Sequence, residues 1–560
     1  MSDKTVNLTE FTAASDIDTF AAAMEYLRAN PGTTLIVPPG TYHITSDLAK
    51  NAMRSVLTGE WGGNPQRIMF NPKYEYTRGI SFDGQQGTRV IADGAVLMVE
   101  GFMEPVSLIN CTDVEIRGLT IDHLRKPYSR GTILNLQPAD TERNRECVIE
   151  FDENCPICEK TPLTLRYIFF DPDTGRNIYT GLHGYSYANS HHLKAKLGDH
   201  PALHDGVLFY TVHSFHSRPA ILIENAKNIR LTDVTIHSQP GMGIVGNRSE
   251  DVIISGLKVV PSEGHHMSTD TDATHFTSMK GLLRFENCVF DGQGDDFTNV
   301  HSYYQAIIER IGEEGNTCIM QEKTPDGTHA QTLDYPDIGD TLELTNRKTL
   351  QNIGHYTVVD CVPMHDEWKC QVTLDRPLPD NTEDLVFADI TRMPRVELIG
   401  CTATRHFARS ILLKNRDALI ENCTFRDIMG PAIVAAAEAW WYEGVCPANI
   451  VIRGNRIYNC AECWGEAGGI VVKADSDQAE GCSIFNITIE DNYIECPNGK
   501  PGIFVRNTDG VVIRNNVIST PGEITMHIES CDNVDLCVTD GKPFRTPDCG
   551  NLKLDRADPV

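Results

Sequence analysis

Between positions 261 and 305 the 560-residue chain crowds titratable side chains: His265-His266-Met-Ser-Thr-Asp270-Thr-Asp272-Ala-Thr-His275-Phe, then Asp291-Gly-Gln-Gly-Asp295-Asp296-Phe-Thr-Asn299-Val-His301. Two carboxyls in one place can work on a glycosidic bond, one protonating the leaving oxygen while the other activates a water. Asp272 and Asp295 are 23 positions apart. If that is the length of a repeating coil, they stand almost above one another. Strands about 4.8 Å apart, with side-chain splay, would then bring the carboxyls to the ~6.5–9.5 Å of an inverting glycosidase. Three or four carboxylates so close repel, which raises at least one pKa and leaves an acid beside a base at neutral pH. Two other readings compete: Asp and Asn turns that only face water, and a metal site on His265, Asp270, Asp272 and His275 or Ca²⁺ on the carboxylates alone.

Other segments carry weaker signals. Glu438-Ala-Trp-Trp441-Tyr-Glu443 sets aromatic faces beside carboxylates, as sugar binding requires, or plugs an inserted lobe. Thr404-Arg405-His-Phe-Ala-Arg409 offers donors to hydroxyls, or is a solvated loop. Gly241-Met-Gly-Ile-Val-Gly246 matches the dinucleotide spacing but runs into another strand where that fingerprint needs a helix, so it reads as a coil turn. Cys155-Pro-Ile-Cys158 and Cys460-Ala-Glu-Cys463 are each half a zinc site at most and read as unligated thiols.

The elements that must position the acidic cluster show themselves as a repeat. Asn228-Ile-Arg-Leu-Thr-Asp-Val-Thr-Ile236 and Asp251-Val-Ile-Ile-Ser-Gly-Leu-Lys-Val259 share one pattern, as do the copies beginning at Asp113, Asn449, Asn486 and Gly510. Two short strands per two dozen residues, with few helical patterns between them, predict an all-β chain wound as a right-handed parallel β-helix. Cys288, Cys401 and Cys423 fall at one phase of the coil, as inward-packing small side chains would. Ser15 can cap a helix whose Ile17, Phe20, Ala21, Met24 and Leu27 share a face, covering the open first coil. The periodicity breaks twice, around the turn signals Asp171-Pro-Asp-Thr-Gly175 and Pro325-Asp-Gly327, which predicts two inserted antiparallel β lobes. The expected division is 1–138 cap and first coils, 139–215 first lobe, 216–317 central coils with the Asp cluster, 318–390 second lobe, 391–535 C-terminal coils and 536–560 tail.

Composition bounds the partners. A net charge of −28 disfavours nucleic acid and anionic membranes, and no apolar run approaches membrane-spanning length. The opening residues lack a basic stretch leading into an apolar one, and the 18 cysteines are too sparse for a disulfide scaffold, so a cytoplasmic location with reduced thiols is the expectation.

On Thr271-Asp-Ala-Thr-His-Phe276 and Gly294-Asp-Asp-Phe-Thr-Asn-Val-His301, with Gly241-Met-Gly243 and Ser249-Glu-Asp251, the chain resembles glycoside hydrolase family 110, bacterial exo-α-galactosidases acting on terminal α-1,3-linked galactose, blood-group-B-type epitopes included. The resemblance covers most of the chain. It implies a β-helix carrying two β-barrel-like lobes and an inverting reaction without metal or cofactor. Asp272 would be the general acid, and Asp295 and Asp296 would activate the water. His275, Asn299 and His301 would bind substrate, and Trp441 and Glu443 would line the pocket for the terminal sugar. His266 and Arg405, close to the cluster in the repeat, join the substrate-binding candidates. The expected partner is a glycan ending in α-galactose, with no nucleic acid, no membrane and a homodimer among the possible assemblies. Three alternatives stay open: another inverting β-helix hydrolase for a different terminal sugar, a Ca²⁺-dependent polysaccharide lyase and a non-enzymatic glycan-binding β-helix.

Overall fold

A computed structural model describes residues 4–69, 71, 73–163, 165–214, 216–322, 334–364, 369–476, 478–538 and 543–556. The chain winds as a parallel β-helix whose three faces are sheets of 14, 13 and 11 strands. The alternation seen in sequence sets the register. Ile229 and Leu231 pair with Val252 and Ile254, which pair with Leu283 and Phe285, and each of these side chains is buried in one continuous core. Between strands the backbone turns through left-handed residues such as Asn225 and Asp233, and the same conformation recurs one residue inside the strands at Asn228 and Asp251. These side chains tolerate that conformation better than other residues bearing a Cβ.

Two side-chain columns run along the solenoid. Asn455 Nδ2 donates to Asn492 Oδ1 at 2.9 Å, and Asn492 Nδ2 to Asn516 Oδ1 at 2.9 Å. Cys288, Cys401 and Cys423 stack inward as expected, and all the cysteines are free thiols.

The first coil is covered by the helix Asp16–Ala29, whose Ser15 Oγ accepts from the Asp18 amide at 3.2 Å. Its buried face is Phe20, Ala23, Met24 and Leu27; Ala23 takes the place expected for Ala21, which faces solvent. A second helix, Asp47–Leu57, was not expected. Its sequence signals are the cap Ser46, whose side chain accepts from Ala49 N, and the helical spacing of its buried Ala49, Ala52 and Val56.

Both insertions begin earlier than the change of periodicity suggests. The first is a seven-stranded antiparallel sheet that opens with Tyr128–Leu134 and closes with Leu208–Val212. It is an open sheet, whereas a barrel-like lobe was expected. The second is a closed barrel of six strands from Gln305–Ile311 to Leu385–Asp389. In both cases the first lobe strand follows the last coil strand with no Gly- or Pro-rich break, so the junction is concealed. The turn expected at Pro325-Asp-Gly327 lies outside the described residues. At the far end Phe544–Arg545 and Lys553–Arg556 each extend a solenoid sheet, so the coils continue into the segment expected to be a tail. No helix among the described residues is long and apolar enough to cross a membrane.

Candidate active site

The cluster stands at the leading ends of adjacent strands of one parallel sheet. Thr274–Thr277 pairs with Thr298–Tyr303, which pairs with Ile411–Lys414, and that strand pairs with Ile433–Ala437. Thr274 faces Thr298, and Ala273 N donates to Asp296 O at 2.9 Å. Asp272 therefore stands over Asp296, one residue on from the Asp295 that the spacing suggested. One carboxylate oxygen from each of Asp272, Asp295 and Asp296 lies within 4.8 Å of the others. At least one oxygen of each acid thus comes within one strand spacing of the other two.

The trio opens into a cavity of about 700 Å³ that Asn299, Trp441 and Glu443 also line. Each acid has a partner of its own. Arg166, from the first lobe, donates Nη1 to Asp295 Oδ2 at 2.6 Å. Arg409 holds both oxygens of Asp296, through its amide at 2.8 Å and Nη2 at 2.9 Å. His275 Nδ1 hydrogen-bonds Asp272 Oδ2 at 2.8 Å. Burial pushes Asp296 up to about 7, with Arg409 pulling it down and the neighbouring Asp295 and Asp272 charges pushing it up. Burial also raises Asp272 against the pull of His275, and Asp295 and Glu443 add to the rise. A carboxyl raised by burial beside an ionised one is what acid–base work needs.

A second layer supports the floor. Arg409 Nη1 meets Glu438 Oε1 at 2.7 Å, and Lys414 Nζ meets Glu438 Oε2 at 3.0 Å and Glu443 Oε2 at 2.7 Å. Asn299 donates Nδ2 to Glu443 Oε2 at 3.1 Å and accepts from Lys414 at 3.1 Å. Burial alone would raise Glu443, but the Lys414 ammonium outweighs it and holds its carboxyl well below the usual range. Glu443 is thus an ionised acceptor at the wall. Trp440 and Trp441 lie with ring centroids 4.7 Å apart on the same wall.

Of the residues expected from sequence, Asp272, Asp295, Asp296, His275, Asn299, Trp441 and Glu443 line this cavity. His301 sits one layer back, its Nε2 2.8 Å from His275 Nε2. His266 and Arg405 are elsewhere, beneath the first lobe. His266 packs on the Phe170 and Tyr210 rings, and Arg405 is paired with Asp291. The metal grouping considered from sequence is not assembled either, since His265 lies against the Tyr128 ring. Asp270 is fully buried in the interior, and burial drives its carboxyl well above the usual range. Arg166 and Arg409 already pair with Asp295 and Asp296, which lowers the trio's demand for a cation. Arg166, Lys414 and Glu438 went unrecognised in the sequence; Glu438 alone had a visible signal, in the Trp-Trp segment.

The G-x-G-x-x-G segment is structural. A Cβ on Gly246 would lie 2.3 Å from the Phe276 ring, and one on Gly243 2.5 Å from the Ala273 carbonyl oxygen. These glycines let the coil below press against the strand that carries the acid.

Fold and cavity together define a class: a right-handed parallel β-helix with acid–base equipment at the floor of a pocket sized for a small saccharide. Comparison with known proteins narrows it. Residues 392–536 match the right handed beta helix region family. The chain is similar to alpha-1,3-galactosidase A of Bacteroides fragilis, 25% identical over 553 residues that cover 92% of this chain and 87% of the relative. It is likewise similar to alpha-1,3-galactosidase A of Shewanella woodyi, 23% identical with 92% and 86% covered. A solved family 28 exopolygalacturonase of Yersinia enterocolitica is 12% identical with a TM-score of 0.45, covering 100% of this chain and 80% of that one.

Proposed function

We propose that the chain is a glycoside hydrolase that removes a terminal α-1,3-linked galactose from a glycan, with inversion. The observation that carries this reading is the Asp272–Asp295–Asp296 cluster. Its members share the floor of one cavity, where burial raises the carboxyls of Asp272 and Asp296, in a chain similar along nearly its whole length to named alpha-1,3-galactosidases. In this reading Asp272 protonates the glycosidic oxygen. Asp296, with Asp295 beside it, takes a proton from a water held between their carboxylates, and the anomeric carbon passes through an oxocarbenium-like state. Trp441 stacks against the sugar face and Glu443 accepts hydroxyl hydrogen bonds.

One observation favours a second reading. Carboxylate oxygens that come within 4.8 Å of one another are compatible with the ~5–5.5 Å carboxyl separation of retaining enzymes. Against it, guanidinium groups pin both Asp295 and Asp296, which suits holding a water better than attacking carbon. Incubation with an α-1,3-galactosyl disaccharide, followed by NMR of the first galactose released, separates the two. β-Galactose is expected, at a rate that EDTA leaves unchanged. α-Galactose would establish retention, and inactivity toward every α-galactoside would overturn the hydrolase reading.

A further inference from the structure

We infer that His301 is a positioning residue that fixes, through His275, the single proton shared with Asp272, and that it does not bind substrate. The inference rests on the hydrolase reading, and it follows from hydrogen-bond direction along one buried chain of groups.

His301 Nδ1 lies 3.1 Å from the Ser302 carbonyl oxygen, which can only accept, so Nδ1 carries a hydrogen. His301 is 2% exposed. Burial, with His275 and Lys414 nearby, holds its pKa down to about 3 despite the Glu443 carboxylate, so the ring is neutral and its Nε2 bears a lone pair. His275 Nε2, 2.8 Å away, must then be the donor. That leaves His275 Nδ1 facing Asp272 Oδ2 at 2.8 Å, a separation at which two lone pairs would repel. One proton lies between them, as Asp272 O–H on a neutral imidazole or as an imidazolium N–H on the carboxylate. In either form the pair holds one transferable proton, the one that the leaving oxygen needs.

The reverse order fails at its far end. If His301 Nε2 were the donor, His275 would offer Nδ1–H to a bare Asp272 carboxylate, and His301 Nδ1 would point a lone pair at the Ser302 oxygen. The surrounding charges do not supply another order. Glu443 Oε2 is 4.0 Å from His301 Nε2 and is engaged by Lys414 and Asn299. The Tyr303 ring meets the His301 ring edge-on at 4.9 Å. On the Asp272 side the facing charges are Asp295 and Glu443, which favour keeping the proton.

The test compares leaving groups. An α-1,3-galactosyl disaccharide needs protonation of its leaving oxygen, whereas a 2,4-dinitrophenyl α-galactoside does not. His301→Leu should lower kcat/KM on the disaccharide by about 100-fold, within the range of a general-acid contribution, and change the dinitrophenyl substrate less than about threefold. His301→Gln, which can donate to the Ser302 carbonyl and accept from His275, should recover at least about tenfold. Equal losses on both substrates, or a change in KM alone, would overturn the inference. Because His301→Leu could misfold, a neutron map of the unsubstituted protein gives a second reading: deuterium on His301 Nδ1 is expected, and deuterium on Nε2 would overturn the assignment. If the unsubstituted protein cleaves neither substrate, the hydrolase reading itself fails, while the neutron map still reports the order of the chain.

Discussion

Arg409 sets the working state of Asp296. Burial raises that carboxyl, and the guanidinium across both of its oxygens opposes the rise, leaving it at about 7. The proposed base must be ionised to act, so kcat/KM should rise with pH on a limb near that value. Arg409→Gln removes the opposing cation and should move the limb to higher pH; an unmoved limb would show that another group governs it. Asp272→Asn, Asp295→Asn and Asp296→Asn should each lower kcat by about 10²–10⁴-fold with thermal unfolding little changed. Near-normal rates in all three would remove the cluster from the mechanism. At this scale the sequence was informative where chemistry is dense over a short stretch, as with Asp272, His275, Asp295, Asp296 and Asn299. It was silent on Arg166 and Lys414, which arrive from a lobe strand and from a later coil and look like ordinary surface cations in one dimension. Arg405 misled for the opposite reason: it is near the cluster in the repeat, but a left-handed corner at φ 57 accompanies its turn toward Asp291 beneath the lobe.

Within the solenoid, a polar column does what apolar stacking cannot. Asn492 accepts two hydrogen bonds from Asn455, donates to Asn516 and donates to the Ile452 carbonyl. Asn492→Ala would strand buried donors and acceptors on both neighbouring coils and should cost about 2–4 kcal/mol in denaturant unfolding. A change below about 0.5 kcal/mol would mean that water replaces the lost amide. The coils were legible because a β-helix repeats its inward residues with each turn, as Ile229, Val252 and Leu283 do. The lobe boundaries were not. Tyr128–Leu134 keeps the period-two alternation of a coil strand, which hides the first junction, and Gln305–Ile311 follows Tyr303 after a single residue, which hides the second.

For the molecule as a whole, stability should depend on pH through a group remote from the acidic trio. Glu104 is fully buried, and burial raises its carboxyl to about 8 despite Arg218 and Arg78, the latter 3.6 Å away. Its folded pKa lies above the unfolded value of 4.5, so its contribution is full below that value and is lost as pH rises toward about 8. At about 1.4 kcal/mol per pKa unit the loss amounts to a few kcal/mol. Glu104→Gln should match the unsubstituted protein in thermal stability near pH 5 and exceed it at pH 8.5; parallel curves would refute this. The way the catalytic groups are stacked has a further consequence. Asp272 and Asp296 come from successive turns of one solenoid, so their separation along the axis is quantised in steps of one strand spacing, about 4.8 Å. Fine adjustment is left to rotamers and to the arginines that hold them, and a whole coil inserted between the two turns would change the stereochemical course in one jump.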